Sequence, residues 1–176
     1  MHKINYIITI GGSGTRMKYL SPKDKHMLYY GDKRIIEHLL ERFPKAKVIG
    51  ERKTNSRKET LKEIENEIDC LIIDCDVIPL IDQKIDFQED TIFIFESEKN
   101  KYGSLNLIEN RVIGVSEKEN ISNVKCSGVY FVKSVSELLK NMTDDNSIAS
   151  GMIGAKTIKE TTFIRLGDVE DYFEAL

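Results

Sequence analysis

The sequence predicts an α/β chain with a mixed, mostly parallel sheet covered by helices on both faces, a three-layer α/β/α arrangement of Rossmann-like type. Three features carry this expectation. Short β-branched or apolar runs alternate with segments whose apolar residues recur at helical spacing, in the order β, loop, α, β, α, β, β over residues 6–95. Two of those runs end in loops of glycine or aspartate, residues 11–17 and 74–76, and such sheets bind their ligands at the carboxyl ends of their strands. The 176 residues are 40% hydrophobic, enough for one core and too few for two, so residues 1–176 are expected to form a single domain.

Tyr6-Ile7-Ile8-Thr9-Ile10 reads as the first strand, stopped by Gly11-Gly12. Ile35, Ile36, Leu39, Leu40 and Phe43 recur at helical spacing, and Pro44 closes that helix. Residues 47–50 give a short strand. Ser56-Arg57-Lys58-Glu59 has the S-x-x-E capping form, and Leu61, Ile64 and Ile68 are the buried stripe expected to follow it. Residues 70–73 make a third strand, running into Asp74-Cys75-Asp76, and residues 91–95 a fourth. Residues 103–107 and 111–115 flank Ile108-Glu109-Asn110 as a hairpin, and residues 128–132 form another strand. Ser134-Val135-Ser136-Glu137 caps a short helix, and a last helix starts near Asp168.

Lys and Arg number 26 against 29 Asp and Glu, a net charge of −3, which argues against a dedicated nucleic-acid binder. A few placed cations still suffice for a polyphosphate. Cys70, Cys75 and Cys126 are odd in number and match neither a zinc pattern nor a disulfide framework, so they read as buried or incidental thiols of a reducing compartment. The apolar run from Ile4 is cut short by glycines, well below the length of a membrane span. The expectation is a cytoplasmic protein with no membrane and no nucleic-acid partner.

Gly11-Gly12-Ser13-Gly14-Thr15-Arg16-Met17 follows a buried strand, where glycines let backbone N–H groups crowd around an anion. A dinucleotide fingerprint needs a third glycine where Met17 stands, and the Walker pattern is absent, so a nicotinamide-dependent oxidoreductase is poorly supported. On its own the loop is open between a phosphate cradle and a plain turn. Ile10 to Met17 resembles the G-x-G-T-R-[LM] loop of the sugar-phosphate nucleotidyltransferase family. Lys25-His26-Met27-Leu28, Gly31-Asp32-Lys33 and Ile36-Glu37-His38 follow in the order and spacing of that family's signature lysine, turn and helix start. Lys23, after Pro22, competes with Lys25 for the signature position. Further on, Ile72-Ile73-Asp74-Cys75-Asp76-Val77, Tyr102-Gly103, Glu117-Lys118 and Ser127-Gly128-Val129-Tyr130 resemble four more family motifs, so the likeness covers most of the chain.

The resemblance implies a nucleotidyltransferase. A phosphate oxygen of a sugar 1-phosphate attacks the α-phosphorus of an NTP in line, and pyrophosphate leaves, with Mg²⁺ as cofactor. It implies that Gly11, Gly12, Ser13, Gly14 and Thr15 bind the nucleotide, that Arg16 holds the pyrophosphate, and that Lys25 spans the reacting phosphates. Asp76 then carries Mg²⁺, Thr60 touches the base, and Tyr102, Gly103, Glu117, Lys118, Gly128 and Tyr130 border the acceptor. The family's second metal-binding carboxylate precedes a glycine near the C-terminus; aligning Gly167 puts Arg165 and Leu166 there, with Asp168 just beyond as a substitute. Structural readings stand beside these. Asp76 suits a turn, Glu117-Lys118 a solvated loop, Tyr130 the core, Thr60 a helix's first turn, and Asp168 an N-cap. Two alternatives change the function: a cytidylyltransferase acting on a small non-sugar phosphate such as phosphocholine, and a catalytically impaired nucleotide-binding module.

Overall fold

The computed structural model describes residues 3–10, 24–51, 54–80, 87–117, 119–159 and 163–176. In chain order the elements are β1 (Asn5–Thr9), a 3-10 turn (Lys25–Met27), β2 (Tyr29–Tyr30), β3 (Lys33–Arg34), α1 (Ile35–Arg42), β4 (Lys47–Ile49), α2 (Arg57–Leu61), β5 (Ile68–Asp74) and β6 (Val77–Pro79). After these come β7 (Thr91–Glu96), β8 (Ser104–Ile108), β9 (Arg111–Ser116), β10 (Val124–Ser134), α3 (Val135–Asn141), β11 (Lys156–Lys159), β12 (Phe163–Arg165) and α4 (Val169–Ala175). Among the described residues eight strands pair in the order β4-β1-β5-β10-β7-β11-β9-β8, and β2–β3 and β6–β12 form small ribbons.

The mixed α/β character agrees with the sequence, but the expected mostly parallel sheet does not. Among the described residues β1 runs parallel to β4 and β5, and β11 to β7. Strand β10 runs antiparallel to β5, β7 and β8, and β9 to β8 and β11, so antiparallel pairings predominate. The physical reason lies in the connections. Parallel neighbours need a crossover of a dozen or more residues, which the first half of the chain supplies through α1 and α2. After β7 the chain turns back through the β8–β9 hairpin and enters β10 from the opposite end. That hairpin is tight because Glu109 and Asn110 both take positive φ (48° and 61°), the geometry that matches strand twist.

Side chains alternate across the sheet into two apolar clusters. Ile7, Ile72, Ile92, Tyr130 and Val132 pack with Leu61, Ile64 and, from α3, Val135, Leu138 and Leu139. Ile8, Leu71, Ile73, Phe93, Val129 and Phe131 pack with Leu166 and, from α1, Ile35 and Leu39. The two serine caps form as expected, Ser56 Oγ accepting from the Glu59 amide (3.2 Å) and Ser134 Oγ from that of Glu137 (3.3 Å). The helix after Ser56 is shorter than its expected stripe. It tightens into a 3-10 turn at Lys62–Ile64, and Ile68 opens β5 with 60% of its surface exposed. Cys70, Cys75 and Cys126 are unpaired, and burial pushes the Cys70 and Cys126 thiols up to about 12, so they are poor nucleophiles at neutral pH. No helix among the described residues is long and apolar enough to cross a membrane.

Candidate functional site

Strands β1 and β5 end side by side, Thr9 opposite Asp74, and the chain leaves β5 through Cys75 and Asp76. Asp74 is 6% exposed, and its carboxylate is fully engaged: Thr9 Oγ1 donates to Oδ1 (3.0 Å), and Arg57 Nη1 donates to Oδ1 (2.8 Å) and Oδ2 (2.7 Å). Burial pushes this carboxyl upward, while the Arg57 guanidinium pulls it back. Gly128 in β10 closes the other side. Its φ is +85°, and a Cβ there would lie 3.1 Å from Asp74 Oδ2 and 3.2 Å from Val77 Cγ2, so both conformation and space require glycine.

Asp76 follows two residues after Asp74, in the turn after β5. Its Oδ2 accepts from Lys25 Nζ at 2.9 Å, a contact between the 3-10 turn and the end of β5 that joins residues 51 apart in sequence. The backbone carbonyl of Asp76 is held by the Leu166 amide (2.8 Å), where β6 pairs with β12. The next turn brings Gly167 against the carboxylate: a Cβ at that glycine would lie 3.5 Å from Asp76 Oδ2 and 3.4 Å from Asp171 Oδ2.

A second set of charges surrounds the start of α4. Asp168 is its N-cap, accepting from the Asp171 amide at 3.0 Å. Lys101 Nζ reaches Asp168 (2.8 Å), Glu170 (2.9 Å) and Asp171 (2.9 Å). Burial works against the Lys101 charge, but the hydrogen bonds to these three carboxylates outweigh it and raise its pKa. Tyr102 donates its hydroxyl to Asp171 Oδ1 (2.6 Å), and burial together with that acceptor pushes the phenol up to about 12. Arg165 lies over the ring of Phe95, with the rings of Tyr102 (4.8 Å) and Phe163 (4.5 Å) beside it; burial lowers its guanidinium to about 10.

Glu117 lies beyond Tyr102. Its carboxylate rests against Gly103, where a Cβ would come within 2.9 Å of Oε2, and Oε1 accepts from Ser147 Oγ (2.6 Å). Val115, Glu117, Thr143, Asp144, Ser147, Ser150 and Ile153 line a cavity of about 100 Å³. The loop after Glu117 is anchored by the buried Lys125, whose ammonium binds the Asn120 side chain and the Ser122 carbonyl (2.8 Å).

Of the residues expected to form the site, Gly11, Gly12, Ser13, Gly14, Thr15, Arg16, Lys23 and Lys118 lie outside the described residues. Lys25 meets Asp76, and Gly103 meets Glu117. Tyr130 is 4% exposed and belongs to the core, where burial raises its phenol. Thr60 is buried, its hydroxyl bonded to Thr54 Oγ1 (2.5 Å) and the Ser56 carbonyl (3.3 Å), which is the helix-turn reading. Asp168 is an N-cap bound to Lys101. The sequence reading missed Arg57 as a partner of Asp74, as well as Lys101, Ser147 and Asp171. Adjacency to Tyr102-Gly103 was the one available cue for Lys101.

Among the described residues no group of three or more His, Cys, Asp or Glu side chains is placed to hold a metal ion. Mg²⁺ asks for less, commonly one or two carboxylates with phosphate oxygens completing its octahedron. The Asp76 carboxylate at the edge of the sheet meets that requirement.

No family model matches the chain, and no curated protein matches it in sequence. Solved structures do match it in fold. CTP:phosphocholine cytidylyltransferase from Streptococcus pneumoniae superposes with a TM-score of 0.73 at 15% identity, over 98% of this chain and 97% of the other. Inositol-1-phosphate CTP transferase from T. maritima gives 0.72 at 12%, over 97% and 94%. UDP-glucose pyrophosphorylase from Acinetobacter baumanii gives 0.71 at 13%, over 97% and 91%. The fold is that of the sugar-phosphate nucleotidyltransferases and cytidylyltransferases across nearly the whole chain.

Proposed function

We propose that this chain is a cytoplasmic Mg²⁺-dependent nucleotidyltransferase that joins a nucleoside monophosphate from an NTP to a sugar 1-phosphate. The observation that carries the reading is the contact of Lys25 with Asp76 at the end of β5, on a fold shared with enzymes named for this chemistry. Attack by an acceptor phosphate oxygen forms a new P–O bond at the α-phosphorus. The bond from that phosphorus to the bridging oxygen breaks, and its electron pair leaves with pyrophosphate.

Both reactants are anions, so the protein's task is positioning and charge neutralisation rather than supplying a nucleophile. Lys25 bridges the reacting phosphates, and Arg16 with the amides of residues 11–15 holds the departing pyrophosphate. Asp76 would hold Mg²⁺, which supplies positive charge to the phosphate oxygens. Glu117, oriented by Ser147, accepts from an acceptor hydroxyl at the mouth of its cavity, and the acceptor phosphate is assigned to Lys118 on the family resemblance alone. The product, a nucleotide-activated sugar, serves a later sugar transfer, as in polysaccharide assembly.

One observation favours a second acceptor. The cavity beside Glu117 has room for about three waters at roughly 30 Å³ each, and it carries two carboxylates, Glu117 and Asp144. A compact cationic head such as that of phosphocholine suits it. Incubation with Mg²⁺, the four NTPs and a mixture of sugar phosphates and phosphocholine, read by mass spectrometry of products, separates the two. NTP binding without pyrophosphate release for any acceptor would leave an inactive nucleotide-binding module.

A further inference from the structure

The carboxylate that the family resemblance expects just before Gly167 is missing, because Arg165 and Leu166 stand there. Leu166 is fully buried, and Arg165 is enclosed by Phe95, Tyr102 and Phe163. Another carboxylate lies within reach. Asp171, in the first turn of α4, is 6% exposed. Its Oδ1 accepts from Tyr102 Oη (2.6 Å) and Lys101 Nζ (2.9 Å), while its Oδ2 is buried and accepts no hydrogen bond among the described residues. Native proteins rarely leave such an oxygen without a partner unless a ligand or ion completes it.

That oxygen faces the gap at Gly167. The position of a Cβ there is 3.4 Å from Asp171 Oδ2 and 3.5 Å from Asp76 Oδ2, so carboxylate oxygens from two separate elements border one small space. Gly167 is not among the glycines with positive φ, so the backbone does not demand glycine; what the residue supplies is room. Lys25 Nζ lies 2.9 Å from the same Asp76 oxygen and Lys101 Nζ 2.9 Å from Asp171 Oδ1, so the oxygen of this pair that still lacks a partner among the described residues is Asp171 Oδ2.

We propose that Asp171 is the second carboxylate of a divalent-cation site, acting with Asp76 across the gap at Gly167, a place for which Asp168 was only a possible substitute. The proposal rests on the nucleotidyltransferase reading of the same cleft. Lys101 and Tyr102 hold Oδ1 and so fix the orientation of the ligating oxygen, as outer contacts do at metal sites. Asp168 stays with the helix amide and Lys101.

The test uses Mn²⁺ as the probe, its free signal followed by electron paramagnetic resonance, with the α,β-methylene analogue of whichever NTP the wild type binds most tightly. Asp171→Asn and Gly167→Ala, the latter placing a methyl in the gap with both carboxylates kept, should each weaken Mn²⁺ binding at least about tenfold. Asp168→Asn should change it less than about twofold, since asparagine also N-caps a helix. Urea midpoints monitor folding, and if Asp171→Asn fails to fold, Gly167→Ala decides. Wild-type affinity in both Asp171→Asn and Gly167→Ala, or the loss appearing in Asp168→Asn instead, overturns the assignment while leaving the enzyme reading intact. A wild-type protein that holds no Mn²⁺ with any analogue overturns both.

Discussion

Replacing Arg57 with alanine asks whether Asp74 is an anion held in place by one guanidinium. Removing one partner of a buried ion pair costs about 3–5 kcal/mol. Asp74 is 6% exposed, but the Arg57 side chain is 38% exposed, so water screens the pair. Discounting for that exposure leaves about 2–3 kcal/mol. At about 2–4 °C per kcal/mol for a chain of this size, Tm should fall by about 4–12 °C. The sign of the pH dependence follows from burial, which already raises the Asp74 carboxyl against the pull of Arg57. Without Arg57 it rises further. An acid whose folded value exceeds its unfolded one, about 3.9, binds more protons when folded, so stability drops as pH climbs from there through the folded value. The penalty should therefore be small near pH 4 and full at pH 7. Urea midpoints at both pH values for wild type, Arg57→Ala, Asp74→Asn and the double variant give the coupling directly. An equal penalty at the two pH values, with no relief from Asp74→Asn, would refute the reasoning.

Lys25→Ala and Asp76→Asn should each reduce pyrophosphate release roughly 10²- to 10³-fold, by analogy with the loss of one transition-state donor, with urea midpoints close to wild type; unchanged turnover in both removes the site assignment. Ser147→Ala deletes the 2.6 Å hydrogen bond that orients Glu117, and at about 0.5–1.5 kcal/mol it should raise the acceptor KM about 2- to 12-fold with little change in kcat. Gly128→Ala forces a side chain into a positive-φ position against Asp74, at about 1–3 kcal/mol, so calorimetry should register a Tm lower by about 2–12 °C.

What was legible in the sequence was local. The caps at Ser56 and Ser134 were readable because each depends on residues three apart. The Glu109-Asn110 turn was readable because it sits between two alternating runs. The turn at Cys75-Asp76 was readable because it follows an apolar strand. Sheet direction was not, since whether β10 lies parallel or antiparallel to β5 depends on the route taken by the chain through β8 and β9, which no single segment records. The partners of the carboxylates were hidden for the same reason. Arg57 and Asp74 are 17 residues apart, Lys101 and Asp171 are 70, and neither pair has a periodicity to betray it. Asp168 and Asp171 look alike as one acidic run; only the turn of α4 makes one a cap and points the other at Gly167.

These pairings bear on how a nucleotide would bind. Lys25 sits on Asp76, Arg57 on Asp74 and Lys101 on Asp168 and Asp171, so these three cations already have carboxylate partners. A triphosphate arriving alone would have to draw Lys25 from a carboxylate oxygen 2.9 Å away, exchanging one ion pair for another of similar strength. A divalent ion arriving with it changes the balance: once Asp76 ligates the ion, the ammonium is free to move to the phosphates, and no carboxylate is left unpaired. On the proposed reading the ion and the nucleotide therefore bind with positive coupling, and by thermodynamic reciprocity each strengthens the other by the same factor. Arg57 stands outside that exchange. Its carboxylate partner is buried beside Thr9 and Gly128, where release would leave Asp74 a bare anion in the core, so on the proposed reading Arg57 keeps its partner while Lys25 exchanges its own.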